Sequence, residues 1–311
     1  MATPSILAAT WRAGLYLIEG EVRRELADRS VHALAPDGRG GALAIADRRT
    51  LWRRTARGEW QAIATAETDL SCCLAVGDAI YAGTDDARFL RVTAGGLQAL
   101  EGFERTPGRE RWYAGSAVID GRRVGPPLGI RSLTATCDGA VLLANVHVGG
   151  IPRSTDGGLT WHPTIDIDCD VHQVWAHPAR PDSVVAASAV GLAVSRDAGA
   201  SWIIDAEGLH ARYCSAVAFL GDDILIAAST DHFAVEGALY RRPLDGGRLE
   251  LIAGLPRRIE RIVDTGCIAV RGAQVAILDG GGNLHLSTDG GRAWSQRPLG
   301  LPFPSGVLLP G

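Results

Sequence analysis

Lysine is absent from this chain of 311 residues: all 31 basic side chains are arginine. Without a lysine ammonium there is no Schiff-base chemistry, no lysine-anchored pyridoxal cofactor and no phosphate-binding loop of the GK[ST] kind. An excess of positive charge is lacking too. The formal net charge is -4, which removes the broad basic field that draws in nucleic acid or an anionic membrane. No stretch reaches the roughly 18 uninterrupted apolar residues of a membrane span. The segment from Met1 to Tyr16 lacks a basic run followed by a long apolar one. Cysteine pairs at CxxC spacing are missing among Cys72, Cys73, Cys137, Cys169, Cys214 and Cys267. With no export signal they read as reduced thiols, and the expected compartment is the cytoplasm. Helical periodicity is also scarce.

What the chain does have is glycine, 39 residues of it, and 46% apolar residues arranged in short runs. Ala140-Val-Leu-Leu-Ala144 and Ser183-Val-Val-Ala-Ala187 read as buried strands between tight turns. One phrase occurs three times: Ser154-Thr-Asp-Gly-Gly-Leu-Thr-Trp161, Ser195-Arg-Asp-Ala-Gly-Ala-Ser-Trp202 and Ser287-Thr-Asp-Gly-Gly-Arg-Ala-Trp294. The pattern suits a turn between two strands. The carboxylate bonds turn amides, a glycine accepts positive φ, and the tryptophan fills the gap between neighbouring units. These octets resemble the Asp-box, or bacterial neuraminidase repeat, of β-propeller proteins. The resemblance implies a superfamily that includes sialidases, xyloglucanases, sortilin-type receptors and a photosystem II assembly factor. The sialidase Arg-Ile-Pro motif near the first blade is not here. Ile151-Pro-Arg153 has another order and lies in mid-chain, so no sialidase catalytic residue carries over.

Weaker copies extend the repeat. Pro243-Leu-Asp-Gly-Gly247 keeps the aspartate and glycines, Val92-Thr-Ala-Gly-Gly96 only the glycines, and Arg54-Thr-Ala-Arg-Gly-Glu-Trp60 a glycine and the tryptophan. Six units follow, and three strand-like runs at the N-terminus (Ser5 to Thr10, Gly14 to Glu19, Val22 to Leu26) make a seventh if Ser305 to Pro310 adds a strand. The expected fold is all-β: one domain over residues 1–311, a seven-bladed β-propeller of four-stranded antiparallel blades closed by pairing of the N- and C-terminal strands, which leaves no free sheet edge. The one irregular step holds an insertion at 101–129, expected over the channel mouth, with Trp112 and Tyr113 in it.

Propeller geometry puts the Asp-box turns on one face and the starts of the inner strands on the other. Aligning those starts places His32, Cys72, Arg131, His172 and Ser215 at matching channel-facing positions. His147 and His232 join them from loops between second and third strands, and His210 from the loop before Tyr213. Neutral imidazoles converging with an open position suit a divalent metal, so His32, His147, His172 and His232 are the candidate ligands. Asp170, Asp231 and Glu236 are the candidate catalytic carboxylates, able to complete the shell, orient a ligand or act as base. Arginines collect nearby (Arg12, Arg48, Arg49, Arg131, Arg212, Arg257, Arg258, Arg261). Arg131 and Arg212, with Trp112 and Tyr113, are expected to clamp a small anionic substrate.

Backbone carbonyls bonding the channel histidines would account for the same residues without chemistry. Three functional readings therefore stand side by side: a metal-dependent enzyme at the mouth, a non-catalytic binding or assembly platform, and a glycoside hydrolase. The last needs two carboxylates about 5 to 10 Å apart, drawn from Asp170, Asp231, Glu236 and Asp264. Small molecules are the expected partners of the first, with no nucleic acid and no membrane.

Overall fold

The computed structural model describes residues 4–113, 117–119, 122–124 and 128–311, with only the backbone of 117–119 and 122–124. Seven antiparallel sheets stand around a central channel. The inner strands are Val31–Pro36, Leu70–Val76, Ile130–Ala135, Val171–Ala176, Tyr213–Leu220, Ile268–Arg271 and Pro304–Leu308. We number the blades one to seven in that order. Blade 7 joins the two chain ends: Pro304–Leu308 pairs with Ile6–Thr10, which continues outward through Gly14–Ile18 to Val22–Glu25. Blade 5 gains a fifth strand, Ile259–Glu260, on the edge of Glu236–Pro243. No helix among the described residues is long and apolar enough to cross a membrane.

Burial explains the small, apolar second strands. Ala42–Ala46, Leu142–Val146 and Val184–Ser188 are buried at every position because neighbouring blades cover both faces. Outer strands such as Val22–Glu25 and Ser295–Pro298 carry the polar, exposed residues.

The three octets fold into one turn repeated three times. Ser154 Oγ donates to Asp156 Oδ1 at 2.8 Å and accepts from the Gly158 amide at 2.9 Å. Ser195 and Ser287 do the same with Asp197 and Gly199, and with Asp289 and Gly291. Each tryptophan then packs toward the preceding blade. Trp161, 2% exposed, meets Phe89 and Phe103 with ring centroids 4.9 and 5.0 Å away. The weaker copies at 54–60, 92–96 and 243–247 also join third to fourth strands.

Six of the seven inner strands carry a β-bulge near their first residues, on the face opposite these turns. The residue left out of register is His32, Ser71, Arg131, His172, Ser215 and Ser305 in turn. Sequence alignment had put Cys72 at this position in blade 2. The bulge moves the equivalence to Ser71, because Cys72 pairs with Gly83 while Ser71 is skipped. A bulge re-aims the side chain it carries, and here it turns a strand residue toward the neighbouring blade and the channel.

The insertion follows the seam between blades 2 and 3. At one end Gly102 abuts the Leu159 carbonyl of an octet turn; at the other the Tyr113 amide donates to the Val148 carbonyl at 3.3 Å. Whether it covers the channel rests partly on residues 114–116, 120–121 and 125–127, which lie outside the described residues.

Candidate metal centre at the channel mouth

The bulged residues form a relay of latches between blades. Ser71 donates its hydroxyl to the Ile130 carbonyl, Ser215 to the Val263 carbonyl and Ser305 to the Val31 carbonyl. His172 takes the same role in blade 4, its Nδ1 lying 2.6 Å from the Cys214 carbonyl of blade 5. A carbonyl oxygen only accepts, so Nδ1 carries the proton and the tautomer is fixed. The polar recurrence at the strand starts is thus partly structural.

The latch leaves the other nitrogen of His172 with its own problem. Nε2 is buried, has no hydrogen-bond partner, and sits 3.6 Å from Asp170 Oδ2. Asp170 Oδ1 is likewise buried without a partner and lies 3.4 Å from His147 Nε2. Among the described residues, His147, Asp170 and His172 are the one set of three whose donor atoms all lie within 4.8 Å of each other. The Nε2 lone pair of His172 faces the Asp170 carboxylate, an arrangement that a cation between them would relieve. Ligands about 2.0–2.1 Å from a tetrahedral ion stand roughly 3.3 Å apart, close to the two separations seen.

Electrostatics keeps His147 and Asp170 in ligating form. Burial, helped by the charge of Arg131, pushes the His147 imidazole down to about 4, so it is neutral at physiological pH. Burial acts to raise the Asp170 carboxyl, but His172, His147 and Arg131 beside it outweigh that and hold it below the ordinary carboxylate range. Asp170 is also held in the left-handed region at φ 44°, closing the short turn Ile167–Cys169. Aspartate is among the few non-glycine residues that adopt this region readily. The Asp170 side chain is 30% exposed, which leaves the set open to solvent on that side.

His147 gives the set its link to the channel, a cavity of about 1210 Å³ whose wall it shares with Arg131, His232, Asp264 and, on the other side, His32, Arg48 and Asp85. Arg131 pairs with Asp264 at 3.5 Å. Asp85 and Ser71 had not been singled out from sequence. Arg48 bridges Asp85 and Asp69, and burial raises the Asp85 carboxyl. Their only sequence signals are position: Asp85 follows the second strand of blade 2, and Ser71 precedes a cysteine that draws the eye first.

Other expected site residues lie elsewhere. His32 bonds Ser30 Oγ through Nε2 at 3.1 Å and stacks on Trp11, in blade 1 and apart from the three-residue set. His232 is exposed on the channel wall and outside the set. His210 is tied to the Tyr240 hydroxyl at 2.8 Å. Asp231 accepts the Phe233 amide at 2.7 Å to shape its own loop. Glu236 is exposed, 4.0 Å from Arg258. Trp112, 7% exposed, is packed on Phe103 rather than facing the channel, because the insertion uses it to fill the seam between blades. Neither Tyr113 nor Arg212 is part of the channel wall.

No protein-family model matches the sequence, and no curated protein matches it. Likeness appears at the level of structure. A putative 6-phosphogluconolactonase from Bacteroides uniformis is similar over 99% of both chains, with 12% identity and a TM-score of 0.67. The GH74 enzyme of Niastella koreensis matches 95% of this chain with 11% identity and a TM-score of 0.61. The GH74 xyloglucanase of Xanthomonas campestris matches 86% with 18% identity and a TM-score of 0.59. The chain spans just under half the length of those two GH74 proteins. At such identities the likeness concerns the seven-bladed fold alone.

Proposed function

We propose that the channel mouth is the active site of a metal-dependent enzyme acting on a small anionic substrate, with a divalent cation held by His147, Asp170 and His172. The observation that carries this reading is the set of buried, unpartnered atoms gathered in one donor triad, His172 Nε2, Asp170 Oδ1 and His147 Nδ1. The donor set, two imidazoles and a carboxylate, suits zinc or another borderline ion and leaves positions for ligands. A bound cation would act as a Lewis acid toward a carbonyl or phosphoryl oxygen.

The chain's own residues supply the rest. The Cys214 carbonyl fixes the ring and tautomer of His172, as outer hydrogen bonds do for ligating histidines. Arg131, 22% exposed, brings positive charge beside the set and can attract a carboxylate or phosphate while Asp264 holds it in place. Of the four carboxylates considered for catalysis, Asp170 faces imidazoles, Asp264 faces Arg131, Asp231 shapes its loop and Glu236 is exposed near Arg258, so the glycosidase reading gains no specific support.

Elemental analysis of the untagged protein is the test, with His147→Ala and Asp170→Asn beside it. Near-stoichiometric metal in the wild type and little in either variant is the expected result. A wild type that stays metal-free after expression with zinc, iron, copper, nickel and manganese supplied would overturn the reading. His172→Ala is a poor first variant, since it also removes a latch between blades 4 and 5.

A further inference from the structure

A second recess of about 280 Å³ opens beside the channel, lined by Trp11, Phe233, Ile262, Phe303 and Pro304 with His232, Arg261 and Asp264 among them. It is continuous with the mouth, because Trp11, His232 and Asp264 line both spaces. Asp264 is the partner of Arg131, and Arg131, Asp264 and His147 all line the channel, so the recess and the candidate metal set border the same space.

Three features make this recess unlike ordinary surface. Phe233 is 88% exposed, Phe303 54% and Trp11 50%, and they come from three separate loops that converge here. Large apolar side chains gathered on a concave site mark ligand or partner contact. Phe303 and Arg261 are both left-handed, at φ 51° and 58°, a strained state for such residues that clusters at ligand clamps. Arg12 lies 4.4 Å over the Phe303 ring, and among the described residues neither Arg12 nor Arg261 has an ion-pair partner. An aromatic floor fits an aryl group, and the guanidinium groups at its edge draw an anionic molecule toward the mouth.

We propose that this recess holds the aryl end of an anionic small-molecule substrate whose charged end reaches the His147–Asp170–His172 set. The inference deepens the metal-enzyme reading and rests on it. A concave space joined to the channel favours a small molecule over a membrane surface, although exposed aromatics beside arginines also suit a bilayer interface.

Calorimetric titration of the zinc-supplied wild type with acetate, butyrate and 4-phenylbutyrate tests it, with zinc content read in the same samples. The expected result is 4-phenylbutyrate binding at least tenfold more tightly than butyrate. That advantage should fall at least fivefold in a Phe233→Ala/Phe303→Gly double variant whose zinc content is unchanged. Phe303→Gly relieves the left-handed backbone, so the variant keeps its fold. Equal affinities, or a phenyl advantage that survives in the double variant, would overturn the inference. So would tight binding to phosphatidylglycerol vesicles with no response to phenylbutyrate. Zinc in the wild type with no phenyl preference sinks this inference alone. A wild type without zinc sinks the metal reading, and a charged end then has no ion to reach.

Discussion

The two faces of this propeller use the same polar residues to opposite ends. On the turn face, Asp156, Asp197 and Asp289 each sit in an octet where serine, turn amides and carboxylate satisfy one another. On the mouth face, Asp170 and His172 keep buried atoms with no partner. The turn repeats because the same local bonds solve the same local problem in each blade. The mouth does not repeat: where blades 2, 5 and 7 place a serine at the bulge, blade 4 places a histidine that latches with one nitrogen and leaves the other free. Repetition marks what builds this fold, and the break in repetition marks where chemistry can be held.

The largest effect that would sharpen this contrast is on the turn face. Trp161→Ala empties a fully packed site among Phe89 and Phe103, and large aromatic truncations of this kind cost about 3–5 kcal/mol. Denaturant unfolding should show it as a lower midpoint with the slope unchanged. A comparable loss from Trp11→Ala, whose side chain is half exposed at the mouth, would break the contrast.

Next in size comes a difference in what the loss depends on. Ser195→Ala leaves the buried Gly199 amide without its acceptor and should destabilise by about 1–2 kcal/mol, with or without metal. Asp170→Asn in metal-free protein removes a carboxylate that its basic neighbours hold below the ordinary range, so it should destabilise modestly. With zinc present, the gap between the wild type and this variant should widen, as a ligand that binds only the native state adds stability. Thermal melts with and without zinc read both arms. A gap that zinc leaves unchanged would mean that Asp170 is structural like the octet aspartates.

These outcomes bear on how much the chain disclosed before its structure. The octets and the weaker copies were legible because each depends on residues adjacent in sequence, and the closing strand Pro304–Leu308 because the three N-terminal strands lacked a fourth. His147, Asp170 and His172 were each among the residues named, but the grouping was not: His32 and His232 stood with them, and Asp170 stood with Asp231 and Glu236. What separates them is place: His32 occupies the same bulge as His172 but in blade 1, while Asp231, His232 and Glu236 are exposed in blade 5. No local pattern announces a bulge, so Cys72 stood where Ser71 belongs. Trp112 was open for a related reason: an aromatic in a long insertion serves a seam or a substrate equally well until its neighbours are known.

Acid provides a milder probe of the turn face. Hydrogen bonds from Thr160 and Ser154 hold the Asp156 carboxyl down to about 2, against an ordinary value near 3.8. A carboxyl lowered in the folded state contributes stability that is fully present above the unfolded value and is lost as pH falls through the folded one. Asp156 and its relatives Asp197 and Asp289, also lowered, should therefore weaken the fold between about pH 4 and pH 2. Carboxyl chemical shifts followed by NMR would show Asp156 titrating last; a midpoint near 4 would mean that the turn bonds are not formed in solution.

The smallest expected effect sits within the repeat itself. The fourth octet position is left-handed in all three copies, Gly157 at φ 73°, Ala198 at 57° and Gly290 at 77°, and only the second copy places a side chain there. An L-residue in that region costs roughly 1–2 kcal/mol, which glycine avoids at the expense of a larger loss of backbone freedom on folding. Ala198 also packs its methyl against the cluster around Val184 and Ala193. The terms oppose, and Ala198→Gly should stabilise by only about 0.5 kcal/mol. Gly199→Ala, whose added carbon would meet Leu143 Cδ2 at 2.5 Å, should move the unfolding midpoint the other way and by more. If Ala198→Gly destabilised as well, the methyl contact would outweigh the strain, and this octet would be held by packing with blade 3 more than by its own turn geometry.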